Sequence, residues 1–314
     1  MRSRSLGRTG LSVGVLGFGC APLGGEYGAV DERELERAVH TAIDHGINLF
    51  DTAPYYGRTL SEERLGRALA GRRDEVVLAT KCCRFDVRGF DFSAARVHAD
   101  VDASLRRLRT DRVDLLQVHD VEFGPRGRIL EETLPALRAV KQAGKARFIG
   151  VTGLPLAMLA DLGSAFDVDC ALSYCHYNLL VRDLDAVLRP VADERGFALL
   201  NASPLHMGVL TDEGPPPWHP APDAVKAAGR DVAALCRARG RDVADVALGF
   251  AARYGGVAST LVGMRSSAEV ERNVASLARE PDEELLAEID AIVAPVRDRT
   301  WHEGLPENAP EGVA

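Results

Sequence analysis

Eight short, nearly unbroken apolar runs recur along this chain, most of them separated from the next by a stretch of helical periodicity. They occupy residues 15–19, 47–51, 76–80, 113–119, 147–151, 171–174, 198–202 and 260–263. Such runs suit parallel strands covered on both faces, because a strand with one wet face alternates polar and apolar residues instead. Eight of them alternating with helices point to the α/β class and to a closed (β/α)8 barrel, the TIM barrel. An open doubly wound sheet is the alternative, but it usually has fewer strands per domain. No low-complexity linker or break in composition divides the 314 residues, so residues 1–314 read as one barrel domain.

The intervening patterns carry their own signals. Asp31-Glu-Arg-Glu34 is a capping box ahead of a face made by Leu35, Ala38, Val39, Ala42 and Ile43, with Gly46 as the stop. Leu65 and Leu69 mark a helix over 61–70. Ser93 caps one carrying Val97, Val101, Leu105 and Leu108, and 131–143 carries Leu134, Leu137 and Val140. Two patterns, 223–239 and 242–253, separate the seventh and eighth strands. Residues 281–296 read as an extra C-terminal helix, and residues 5–13 as an N-terminal β-hairpin placed to plug the barrel bottom.

Composition removes several classes of function. A net charge of −8 gives no electrostatic case for nucleic acid or an anionic membrane as partner. No run approaches the ~18 apolar residues of a membrane span, and the N-terminus lacks the apolar stretch of a signal peptide. The six cysteines form no C-x-x-C pair, which favours reduced, buried thiols in a cytoplasmic protein over disulfides or a zinc site. No His/acid set has metal spacing. Gly17-Phe-Gly-Cys-Ala-Pro-Leu-Gly24 lacks dinucleotide-loop spacing, and Pro22 interrupts any immediate helix.

Reactive groups in a barrel of this kind collect at the C-terminal ends of its strands. Asp51 ends the second run, with Tyr55 and Tyr56 just beyond it; Lys81 ends the third and His119 the fourth. Tyrosine, with an unperturbed pKa of about 10, works as an acid or base near neutrality only where a cation stabilises its phenolate. A desolvated Lys81 paired with Asp51 would do that for Tyr56, and a neutral His119 would orient a substrate oxygen. This is acid–base equipment for a carbonyl/alcohol pair without a metal, and its natural complement is a hydride carrier. Taken singly, each group reads more readily as an ion pair or a satisfied core residue. Four of them at the ends of three consecutive strands read as a site.

Asp51, Tyr56, Lys81 and His119 in this arrangement resemble the catalytic quartet of the aldo-keto reductase superfamily. Ser173-Tyr-Cys-His-Tyr177, Phe148-Ile-Gly-Val-Thr-Gly-Leu-Pro155 and Pro217-Trp-His-Pro220 resemble its plant-type L-galactose dehydrogenase branch. The resemblance runs from about residue 4 to Trp301. It implies a nicotinamide cofactor lying across the barrel mouth: Thr152 and Gly153 near its carboxamide, Ser203 and Leu205 offering backbone to the pyrophosphate, and Met264, Arg265, Ser267 and Asn273 around the adenosine. Ala202 stands where many relatives have a stacking tyrosine, and Tyr174 is expected to supply part of that ring contact. Glu269 replaces a frequent arginine and Gly263 a frequent lysine, which favours NAD; Arg265 argues for NADP.

The same resemblance implies a small-molecule sugar substrate, oxidised at its anomeric C1 hydroxyl to the aldonolactone, with L-galactose or L-fucose as examples. Asp120 and Glu122 would bind sugar hydroxyls or hold their loop; His176, Trp218, His219 and Trp301 are candidate pocket walls, with packing of the loop and tail an equal reading for the two tryptophans. An NADPH-dependent aldehyde or ketone reductase and a redox-sensing regulatory subunit are the rival readings. The sequence specifies no oligomeric state.

Overall fold

The computed structural model describes residues 1–25 and 31–309. Among the described residues ten strands form: β1 (Ser3–Ser5), β2 (Ser12–Gly14), β3 (Leu16–Gly19), β4 (Leu49–Asp51), β5 (Val77–Cys82), β6 (Val113–Val118), β7 (Ala146–Gly153), β8 (Cys170–Tyr174), β9 (Ala198–Ala202) and β10 (Ser259–Gly263). The last eight pair in parallel and in sequence order, and β10 returns to β3 to close the barrel. All eight apolar runs are therefore barrel strands. Parallel strands covered by helices bury both faces, which is why the runs lack alternation.

Strands β1 and β2 form the antiparallel hairpin, in register Ser3↔Gly14. Leu6 and Val13 are fully buried in one cluster with Leu49, Val77, Leu115, Ala198 and Leu200, so the hairpin stops the barrel bottom. Its turn needs a glycine: Gly7 has φ +53°, and a Cβ there would lie 2.8 Å from the Ala198 amide nitrogen. Arg4 ties the hairpin down by donating to the carbonyls of Tyr254 (2.7 Å) and Val257 (2.9 Å).

The helices follow their apolar faces, with two informative departures. Asp31 caps helix Glu32–Asp44 through the amides of Arg33 and Glu34. The Glu34 carboxylate does not close the box, however; it crosses the sequence to accept from the Ser267 amide at 2.8 Å. The pattern over 131–143 forms a π turn at Ile129–Thr133 before helix Leu134–Gln142. Pro135 has no N–H to donate one turn back, so the ladder is interrupted there. The extra helix is Glu283–Val293, capped by Asp282, whose side chain accepts from the Leu285 amide at 3.0 Å. The six cysteines are all buried and free. Among the described residues no helix is long and apolar enough to cross a membrane.

Candidate active site

Side chains alternate along each strand, and the residues packed with the plug fix which set points inward. Continuing that set upward places Gly19, Asp51, Lys81, Thr152, Tyr174, Ala202 and Gly263 at the C-terminal rim, with His119 one residue beyond β6. Lys81 lies inside β5, which extends to Cys82 rather than ending at Thr80. Its ammonium is ion-paired with Asp51, donates to the Thr52 carbonyl at 3.0 Å, and lies 3.3 Å from the Tyr56 hydroxyl. Both Lys81 and Asp51 are almost wholly buried. The other Asp51 oxygen accepts from Gln117 Nε2 at 2.9 Å. Gln117 is one of two polar residues in the otherwise apolar β6, with Asp114, and lies opposite Lys81 in the sheet register.

Tyr56 is placed by backbone contact. Gly57 (φ +60°) lies against Gly24 so closely that a Cβ on it would come 2.3 Å from the Gly24 carbonyl oxygen. Only a glycine permits that approach. The Tyr56 ring meets His119 edge-on at 5.6 Å, and Tyr55 meets it at 5.9 Å. His119 is buried, and its pKa is held well below the ordinary imidazole value by desolvation first, then by the Lys81 and Arg84 cations. It is therefore neutral near pH 7.

Residues 15–294 match the aldo/keto reductase family. The chain belongs to that family. L-galactose dehydrogenase of Arabidopsis thaliana is 45% identical to it, over 97% of this chain and 98% of its own. D-arabinose 1-dehydrogenase of Saccharomyces cerevisiae is 32% identical, over 83% of this chain and 82% of its own. Among solved structures, an aldo-keto reductase from Bacillus halodurans in its holo form superposes with a TM-score of 0.78 at 28% identity, covering 96% of this chain and 99% of that one. The protein is an oxidoreductase of the aldo-keto reductase family, whose members use nicotinamide cofactors.

Part of the rim of this aldo-keto reductase is lined by small residues. On one side Ala202, Gly263 and Gly19 put nothing larger than a methyl into the mouth, and a Cβ on Gly263 would come 2.8 Å from Pro22 Cγ. Ser203, where the chain leaves β9, has φ +57°, a strained conformation of the kind that clusters at ligand sites. Met264 is fully buried after β10, and Asn273 is buried on helix Ser267–Ala278, which Ser266 caps. Leu205 packs against the core. Arg265 is paired with Glu269 at 3.0 Å, its amide also donating to that carboxylate at 2.9 Å.

Thr152 Oγ1 accepts from the Asp120 amide at 3.2 Å. Beside Gly153, Glu122 is fully buried: Oε1 accepts from the Leu154 amide (3.1 Å) and the Tyr174 hydroxyl (3.3 Å), while Oε2 has no partner. Burial pushes the Glu122 carboxyl well up, with the neighbouring Asp120 charge adding to it. The tail closes over this acid, Leu305 N and Asn308 Nδ2 both donating to its carbonyl. Glu122 thus braces Tyr174 and the loop. His176 is bonded to Asp183 at 2.7 Å. Trp218 is 61% exposed and lies beside His219, so its ring walls no buried pocket in this structure. His219 and Trp301 pack on each other and on His206.

Sequence reasoning missed two members of the cluster. Gln117 was visible as an amide within an apolar run. Arg84, three residues past Lys81, gave no periodic signal; it is ion-paired with Asp120 and stacked 3.7 Å over Tyr55.

Proposed function

We propose that this chain is an NAD-dependent aldose 1-dehydrogenase that oxidises the anomeric C1 hydroxyl of L-galactose or a related aldose, such as L-fucose, to the aldonolactone. The observation that carries this reading is the 45% identity to L-galactose dehydrogenase over nearly the whole of both chains. The similarity to D-arabinose 1-dehydrogenase supports chemistry at C1 of an aldose.

In this reaction Tyr56, as phenolate, takes the proton of the C1 hydroxyl. Lys81, 3.3 Å from its oxygen, favours that phenolate, because a cation so close in a dry site stabilises the anion. Asp51, itself held by Gln117, fixes the ammonium. Neutral His119 donates to the C1 oxygen and orients it toward Tyr56. The nicotinamide, when bound, supplies the hydride acceptor. Thr152, Gly153 and Tyr174 would hold its ring end, Ser203 and Leu205 its pyrophosphate, and Met264, Arg265, Ser267, Glu269 and Asn273 its adenosine.

An NADH-appearance screen over L- and D-aldoses with both cofactors tests the reading. L-Galactose or L-fucose with NAD should give the highest kcat/KM. Reduction of simple aldehydes with NADPH, without aldose oxidation, would replace it with the reductase reading.

The preference for NAD rests on spent charges. The Arg265 guanidinium is already ion-paired with Glu269, and the Ser267 amide is bonded to Glu34. A 2′-phosphate would have to displace or face both carboxylates. Glu269→Ala should free Arg265 and raise the NADP:NAD ratio of kcat/KM by about tenfold, the scale of one charged hydrogen bond. A wild-type enzyme that already works better with NADP would refute the preference.

A further inference from the structure

Arg84 belongs to neither the quartet nor the expected substrate residues, yet it is tightly held. Cys83, with φ +77°, turns the chain sharply out of β5, and its amide donates to Asp100 Oδ2 at 2.8 Å. That turn brings Arg84 back over the mouth, bridged to Phe90. Its guanidinium lies 3.7 Å from the Tyr55 ring centroid, 5.1 Å from Phe90 and 5.8 Å from Phe123. Three aromatic faces and the ion pair to Asp120 leave it little freedom.

Asp120 is the link to the site. Its Oδ2 is the oxygen paired with Arg84, and the same oxygen lies 3.6 Å from His119 Nε2. The other ring nitrogen of His119, Nδ1, has no partner. A carboxylate facing Nε2 favours the tautomer with the proton there. Alone and buried, however, such a carboxylate would bind a proton itself or draw one onto the imidazole, and the two groups would then hydrogen-bond to each other.

We propose that Arg84 is a positioning residue: by pairing with Asp120 it keeps that side chain a carboxylate without letting it take the His119 proton, and so fixes His119 as a neutral imidazole with hydrogen on Nε2. The groups around His119 are consistent with this. Lys81 faces it from β5, Tyr55 and Tyr56 from the turn after β4, and Arg84 from the segment after β5. Asp120 is its neighbour in the chain, and Glu303 of the tail adds a further acid near Arg84 and Asp120. With Arg84 in place, Asp120 is neutralised as seen from the ring while still orienting its proton. That this proton meets a substrate oxygen rests on the proposed reaction; the protonation state does not.

The test is 15N NMR of histidine-labelled protein between pH 5 and 8, with His119 assigned from its absence in His119→Gln. The wild-type ring should stay neutral and protonated at Nε2 throughout. In Arg84→Gln the His119–Asp120 pair should take up a proton, its titration rising by about one unit or more, and kcat should fall roughly tenfold or more. Arg84→Lys should keep the wild-type tautomer, which a purely packing role of the guanidinium would not. Asp120→Asn should abolish the preference for Nε2. Unchanged His119 shifts in Arg84→Gln overturn the inference; should that variant fail to fold, an intact Nε2 preference in Asp120→Asn does the same. Aldose oxidation with unmoved shifts would sink this inference alone, and the expected shifts without aldose oxidation would sink only the proposed function.

Discussion

Tyr56→Phe is expected to lower kcat by about a thousandfold or more while leaving cofactor affinity within about twofold of wild type. The substitution deletes one oxygen and little else. Lys81 keeps its bonds to Asp51 and to the Thr52 carbonyl, and the ring keeps its edge-on contact with His119. Gly57 still seats the turn against Gly24. The variant should therefore fold and bind cofactor, and lose only the hydroxyl proposed to carry the proton. Steady-state turnover with the best aldose, set beside cofactor titration by fluorescence, separates the two effects. A kcat within tenfold of wild type would remove Tyr56 from its proposed role and move attention to Tyr55.

The barrel was legible because its physics is written in single runs: strands buried on both faces are apolar at most positions, whatever their partners. The end of β5 was misread because a charge looked like an exit. Lys81 lies within the strand, tolerated only because Asp51, thirty residues earlier in sequence, meets it in the interior. The convergence of Asp51, Lys81, Tyr56 and His119 could be read because strand order in a barrel turns sequence order into spatial order. Contacts with no such rule were hidden. Glu34 forms half of a recognisable capping box, but its use at the Ser267 amide depends on two helices meeting across 233 positions. For Glu122 the sequence left sugar binding and loop support open, and nothing periodic in the tail shows that Leu305 and Asn308 return to cover its carbonyl. Arg84 gave no signal because its partners, Tyr55 and Asp120, come from two different loops.

Lys81→Met should combine a large loss of stability with a large loss of activity. It leaves the buried Asp51 carboxylate with Gln117 as its remaining side-chain donor, and breaking a buried pair from one side typically costs about 3–5 kcal/mol. It also removes the cation beside Tyr56, so turnover should fall by roughly a hundredfold to ten-thousandfold. A second substitution separates the two losses. Asp51→Asn in the Lys81→Met background removes the stranded charge yet keeps an oxygen for Gln117 Nε2. Most of the lost stability should return, since replacing both members of a buried pair is often close to neutral. Activity should not return, because nothing then stabilises the phenolate. Urea unfolding of the two variants and the wild type measures the first quantity, and aldose turnover the second. A double variant as unstable as the single would mean that Lys81 stabilises the barrel through its packing rather than its charge. A double variant that regains turnover would mean that Tyr56 does not depend on the ammonium 3.3 Å away.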